Sequence, residues 1–474
     1  MGISRKKFVV IGGGITGLSA AFYTQKLFEE RQIPVEITIV EKGQELGGKI
    51  RTLYRDGFII ERGPDSFMAR KLAMITLTKE LGLEEELTAT NPQAKTNYIL
   101  HKGRLHKMPL GLILGVPTEI APFIKTGLLS PLGKARAAMD LLLPKKKSLT
   151  DESLGSFIER RLGREVLEQI SEPLLAGIYA GDTKRLSLKA TFPQFFELER
   201  KHRSLILGML AGKKKARESD GLPAIAKRSL FLTYKKGLVT VVDCLAKALN
   251  TQKITTGVGV AGINKEEHGY HLSLEDGSVL HADGVIMALP SYCAAELLAD
   301  VPAAKWLERT PYVSVANIVL AFDQNDITHP LDGSGFVVPR KEGRTITACS
   351  WTSSKWLHTA PKGKILLRAY VGHLGSQEWV HYSDEQLLSK VRKDLLDIMN
   401  IAAEPIFYEI TRWHQSMPQY SVGHVEQLKL LREALFSQKP GLFLCGAGYQ
   451  GVGIPDCVQQ GKEAAQQLLS FCSD

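Results

Sequence analysis

The chain of 474 residues is 44% hydrophobic and 23% charged, as ordinary globular proteins are, which excludes disorder, a collagen-like repeat and a disulfide scaffold. Its 60 Lys and Arg against 50 Asp and Glu leave a net charge of +10, suited to nucleic acid, an anionic membrane face or an acidic small molecule. The length implies two or three domains with a substantial buried core. Six scattered cysteines, none in CxxC spacing, give no support to a zinc or thioredoxin-like site and read as free thiols in a reducing compartment. Arg5, Lys6 and Lys7 before an apolar stretch imitate a secretory leader. The stretch runs into glycines and no cleavage site follows, so neither a leader nor a membrane-spanning helix is expected.

In chain order, residues 8–11 form a short apolar run, as a buried parallel strand should. Gly12, Gly13, Gly14, Ile15, Thr16 and Gly17 follow, then a predicted helix over 18–31, a break at Pro34, and a strand over 35–40 closed by Glu41. This is a βαβ unit carrying GxGxxG. Its glycines permit a tight turn, close backbone approach to a pyrophosphate, and packing of helix on strand. The helix N-terminus offers unpaired N–H groups and a positive dipole end. Glu41 is placed to bind ribose hydroxyls and would repel a 2′-phosphate, which argues against NADP. Gly47 and Gly48 with Lys49 and Arg51 add a second flexible loop and two cations.

Residues 106–180 read as mainly helical, punctuated by Pro109, Pro117, Pro122 and Pro131. Residues 200–236 hold eleven Lys or Arg against Glu218 and Asp220, with the lysines at 213–215 expected in a solvated loop. Alternation over 254–289, turning at Gly269 and Gly277, predicts hairpins, and 312–371 is strand-rich. Residues 442–445 read as another buried strand, followed by a glycine-rich turn and a last helix over 456–469. GxGxxG also occurs at Gly257, Gly259 and Gly262, which no helix follows, and at Gly446, Gly448 and Gly451, after which no second strand comes. The predicted class is α/β (α+β overall). A Rossmann-type domain is assembled from both ends and a middle piece, with a mixed-sheet domain and a helical domain inserted.

Several longer segments carry a sharper likeness: IERGPDS at 60–66, EPLLAGIYAGD at 172–182, KHRSLIL at 201–207, TRWHQSMPQ at 411–419 and GVGIPD at 451–456. With the glycine motif they resemble the bacterial porphyrinogen oxidases of the FAD-dependent amine-oxidase-like superfamily, in particular the Gram-positive coproporphyrinogen III oxidases. The resemblance implies FAD-dependent oxidation of coproporphyrinogen III to coproporphyrin III in heme biosynthesis. Six electrons leave in three two-electron steps, with O2 as acceptor and H2O2 as product. Protoporphyrinogen IX is the alternative substrate, an amine oxidase or carotenoid desaturase ranks third, and a non-catalytic chaperone on the flavin fold is a reading from another class. A nucleic-acid module is disfavoured, because the basic stretch lacks interleaved aromatics.

Carried over by position, the resemblance places FAD against residues 12–17, Glu41, Lys42, Lys49, Gly63, Pro64, Asp65, Ser66, Val260, Trp413, Val452, Gly453, Ile454 and Pro455. Relatives often have a glycine–aspartate pair where this chain has Gly446 and Ala447. It divides the chain into FAD-binding parts 1–85, 230–300 and 408–474, substrate-domain parts 86–105, 180–229 and 301–407, and a helical domain 106–179. Four ionised propionates call for cations: Arg70 and Lys71 first, Lys201, His202 and Arg203 after them. Tyr179 is a candidate cleft residue. His414 is a weak candidate for moving protons, set against a structural role, and neither a metal nor a nucleophile is required. Residues 109–147 mix leucines with lysines and resemble the module by which such oxidases approach membranes; a cap over the cleft explains them equally well. Location in the cytoplasm with loose peripheral membrane contact, and transfer of product to a later heme-pathway enzyme, complete the expectations.

Overall fold

The structure, a computed structural model, describes residues 5–215 and 222–473. Glu218 and Asp220, the acids of the basic stretch, lie outside the described residues.

Strand β1 (Lys6–Ile11) pairs in parallel with β2 (Val35–Glu41) on one side and with Gly284–Met287 on the other. Lys253–Thr256 and Leu442–Leu444 extend this sheet to five parallel strands, and helix α1 (Ile15–Glu30) crosses over between β1 and β2. Three stretches far apart in the chain therefore supply one sheet. The uniformly apolar sequence of β1 follows from burial on both faces. Phe8 and Val10 join a core with α1, the helix Val239–Ala248 and the C-terminal helix Ile454–Phe471. Val9 and Ile11 face a three-stranded antiparallel sheet and the helix His424–Gln438. That smaller sheet (Val260–Glu266, Gly269–Leu274, Val279–Ala282) is the predicted hairpin region, and Gly257, Gly259 and Gly262 lie at its edge.

A mixed seven-stranded sheet forms the second layer system, in the order Phe407–Pro418, Tyr312–Asp323, Lys364–Val371, Ile346–Trp351, Gly335–Val337, Asn97–His101, Arg104–Lys107. Period-two alternation gives its strands two different faces. Ile318, Leu320, Leu367 and Ala369 pack on the helix Asp384–Met399, which starts in a capping box of Ser383 and Gln386. Val319, Ala321, Leu366 and Phe407 face the other way, onto Phe58 and Ile60 of the hairpin Thr52–Arg55/Phe58–Glu61.

The helical module surrounds a core that includes Phe157, Ile158, Leu162, Leu167, Leu175 and Phe195. Arg161 is wholly buried in its middle. Its Nε donates to Asp140 Oδ1 at 2.6 Å, and its other nitrogens reach the carbonyls of Asp140, Pro144 and Arg203 at 2.8, 3.1 and 2.8 Å. The second Asp140 oxygen accepts from the Ser204 hydroxyl at 2.5 Å and the Ile206 N–H at 3.0 Å. One expectation needs correction: residues 213–215 end the helix Leu205–Lys215 instead of forming a loop. Lysine is a good helix former, so a helix already running from Leu205 continues through the cluster.

Candidate functional site

The β1–α1 turn is built around backbone contacts. Gly12 has φ +105°, and a Cβ there would lie 2.7 Å from the Ala288 carbonyl oxygen. A Cβ on Gly17 would overlap the Gly12 carbonyl, so helix and turn meet only without one. Gly14 differs: it starts α1 with no side-chain cap, and a Cβ there meets nothing within 4 Å. Two glycines are thus demanded by the protein's own packing, and the third faces space that the protein does not fill. The first-turn N–H groups and the positive end of α1 open onto that space.

Glu41 closes β2 with both oxygens engaged, accepting from the Gly13 N–H at 2.6 Å and the Gly43 N–H at 2.7 Å. Lys42 is exposed and paired with Glu275 at 2.7 Å. The Gly257 N–H donates to the Gly43 carbonyl and the Val258 N–H to the Glu41 carbonyl, which brings Val260 to the end of β2. Lys49 donates to the Ser416 carbonyl at 2.5 Å. Lost hydration pulls its ammonium below the ordinary lysine range, yet the side chain keeps accessible surface. Lys49 is thus surrounded by protein while part of its side chain stays accessible.

The C-terminal helix begins beside α1. A Cβ on Gly461 would lie 2.6 Å from the Thr16 carbonyl oxygen, so glycine there sets how closely the two helices approach. Gly453 starts this helix without a side-chain cap, with Ile454 and Pro455 in its first turn, and Val452 packs against the helical module. The start of α1 thus packs against the C-terminal helix, and both helices follow the carboxyl ends of parallel strands, where open α/β sheets bind ligands.

The segment 61–66 is held from below by the seven-stranded sheet. Asn317 donates to the Glu61 carbonyl at 3.0 Å, Trp413 Nε1 to the Arg62 carbonyl at 2.7 Å, and Arg368 to the Gly63 carbonyl. These donors sit on three adjacent strands, on the face that carries Val319 and Leu366. Gly63 also has no room for a side chain, because the Lys49 carbonyl occupies that place. Pro64 lies between Gly63 and Asp65, whose carboxylate meets Lys355 at 3.0 Å, Trp356 Nε1 at 3.4 Å and the Ser66 hydroxyl at 2.6 Å. Burial alone would raise the Asp65 pKa, but Lys355 and Arg368 outweigh it and hold the group well below the usual carboxylate range. At Glu61 burial wins: its carboxyl is pushed up to about 7, despite bonds from the Leu238 N–H and the Thr52 hydroxyl.

The candidate substrate residues separate. Arg70 is exposed and has no carboxylate partner among the described residues. Lys71 is engaged by both oxygens of Asp456 at 2.5 and 2.6 Å, in the first turn of the C-terminal helix. Tyr179 is buried at the end of Glu172–Tyr179 with no hydrogen bond on its hydroxyl among the described residues, and burial together with the charge of Asp456 raises its phenol. Arg203 donates to the Leu141 carbonyl at 2.9 Å and offers its own carbonyl to Arg161, so it belongs to the packing of the helical module; Lys201 and His202 precede it at the end of Pro193–His202. His414 is exposed, and its side chain has no hydrogen-bond partner among the described residues.

Sequence reasoning missed Asn317, Lys355 and Arg368, and gave Glu61 and Asp456 no role. Arg368 had a signal, a single charge inside the apolar strand Lys364–Val371. A charge in such a position must find a buried partner.

Residues 15–469 match the family described as flavin containing amine oxidoreductase. The chain belongs to that family. The flavin oxidoreductase is 48% identical over 472 residues to the coproporphyrinogen III oxidase of Bacillus subtilis (strain 168), covering 99% of each chain. It is 39% identical over 468 residues to that of Staphylococcus aureus (strain NCTC 8325 / PS 47), covering 98% of this chain and 99% of the other. A solved structure from Exiguobacterium sp. 255-15 superposes with TM-score 0.86 at 36% identity over the whole of both chains. A flavin fits the residues present, since Gly14 faces unfilled space at an uncapped helix start and the Lys49 side chain keeps accessible surface.

Proposed function

We propose that this flavin oxidoreductase uses FAD and O2 to convert coproporphyrinogen III to coproporphyrin III in heme biosynthesis, releasing one H2O2 for each of three two-electron steps. The observation that carries this reading is the end-to-end identity with the coproporphyrinogen III oxidase of Bacillus subtilis, 48% over 99% of both chains. When bound, FAD would accept the electron pairs and pass them to O2.

The dinucleotide form of flavin suits the site, which offers a backbone cradle at residues 12–17 for a pyrophosphate and the carboxylate of Glu41 at the adjoining strand end for a ribose. Lys42, Lys49, Val260, Trp413 and residues 63–66 and 452–455 would complete the FAD site. The protein's tasks there are to bind, to orient the macrocycle and to exclude water. Arg70 would meet a propionate directly. Lys71 would do so only by sharing or exchanging its bond to Asp456. Tyr179, whose phenol has no hydrogen-bond partner among the described residues, is suited to line the cleft.

For location, we propose the cytoplasm with loose peripheral contact at a membrane face. Leu110, Leu132 and Leu142 are 72, 82 and 77% exposed, in a segment that also carries Lys125, Lys134 and the lysines at 145–147. No helix of the described residues is long and apolar enough to cross a membrane. Two measurements on the purified protein test the proposal. Heat-released cofactor should have the mass of FAD, and coproporphyrinogen III under air should yield fluorescent porphyrin and peroxide. Release of FMN, or porphyrin formed no faster than without protein, would contradict it.

A further inference from the structure

Beneath the segment 61–66 lies a hollow of about 10 Å³, room for one water molecule. Its wall carries four polar atoms with no hydrogen-bond partner among the described residues: Arg368 Nε and Nη1, Thr233 Oγ1 and Thr352 Oγ1. Arg368 is 4% exposed, and Glu61 and Asp65 line the same hollow. An apolar hollow of this size would stay dry, but a guanidinium with two idle donors has a large cost if left so. A single water resolves it: two N–H groups can donate to the water oxygen, and its two hydrogens can go to a threonine hydroxyl and a carboxyl oxygen. The remaining Arg368 nitrogen holds the Gly63 carbonyl, so the water and the segment above it share one side chain.

We propose that this hollow is an ordered-water site and that Arg368, completed by that water, is the positioning residue that fixes residues 63–66 where the flavin lies. The second half rests on the flavin placement given above; the first half does not.

A crystal structure that orders internal solvent should show one peak within about 3.2 Å of Arg368 Nε or Nη1 and of a threonine hydroxyl. A dry hollow overturns the water site. Deuterium exchange of the flavin-free protein reads the positioning role. R368Q should speed exchange in the peptide 61–68 about tenfold while leaving 442–471 unchanged, and R368K, which keeps the charge and one donor, should recover part of that protection. Wild-type exchange in R368Q, or no recovery in R368K, overturns the positioning role. If R368Q does not fold, T352V carries the same test: loss of one water partner should loosen 61–68 and nothing else, and unchanged exchange overturns the proposal. FAD titration by flavin fluorescence should show about tenfold weaker binding in R368Q. Loosened exchange with undiminished FAD affinity would overturn the flavin placement while leaving the water site standing.

Discussion

The turn at the start of α1 and the core of the helical module both handle charge inside the protein, in opposite ways. Around Arg161 every strong donor is used: the guanidinium meets the carboxylates of Asp140 and Glu199 and four backbone carbonyls, and Asp140 meets Ser204 and Ile206 in return. At the α1 start no side chain caps the helix, and Gly14 faces unfilled space. Polar groups that are fully paired within the chain are scaffold, while groups left unpaired beside a shaped hollow are available to a ligand. The same distinction separates Arg203, absorbed into packing, from Arg70, which has no carboxylate partner among the described residues.

The largest effects should come from the glycines. Gly17→Ala forces a methyl into the Gly12 carbonyl and should destabilise the protein by about 3 kcal/mol or more in urea unfolding. Gly14→Ala should leave the unfolding midpoint of the flavin-free protein nearly unchanged and weaken flavin binding by about a hundredfold, since its methyl points where the ligand would lie. If Gly14→Ala binds flavin normally, the turn is scaffold throughout and the contrast collapses.

In the helical module, Arg161→Met strands the buried Asp140 carboxylate and should cost about 3–5 kcal/mol; pairing it with Asp140→Leu should restore part of the loss. Equal losses in the single and double variants would show that the pair is not the source of the effect.

Glu61 stands between these two cases, buried and only partly satisfied. Its native pKa of about 7 lies above the unfolded value, so its contribution to stability is full in acid and is lost as pH rises toward about 7. Relative to wild type, Glu61→Gln should gain about 3 kcal/mol between pH 5 and pH 8, read by urea unfolding at both values. Parallel pH profiles for the two proteins would contradict the buried carboxyl. The smallest effect is expected at the surface: Arg70→Glu should raise KM for a tetracarboxylate substrate about tenfold with little change in kcat. An equal rise for a dicarboxylate substrate would remove Arg70 from propionate recognition.

Much of the five-stranded parallel-sheet half was legible because its signals are local. A β-branched run, three spaced glycines and an acid at the next strand end lie within residues 8–41, and the structure builds them into one βαβ unit. The hairpins at 260–282 carried their own turn glycines. What stayed hidden depends on distance. Arg368 meets Gly63 across 305 positions and Lys71 meets Asp456 across 385, and no local pattern announces such pairs. The lysines at 213–215 misled because charge density fits a loop and a helix end equally. Lys71 shows the limit most clearly: the sequence displays its charge but not that Asp456 already balances it.

This fold is expected to oxidise a tetracarboxylate porphyrinogen. The most direct test measures kcat/KM for coproporphyrinogen III and protoporphyrinogen IX side by side under air, following porphyrin fluorescence. Coproporphyrinogen should be oxidised well above its spontaneous rate and be preferred by about tenfold or more, through the two additional carboxylates. A preference for protoporphyrinogen, or no acceleration of either substrate, would contradict the account.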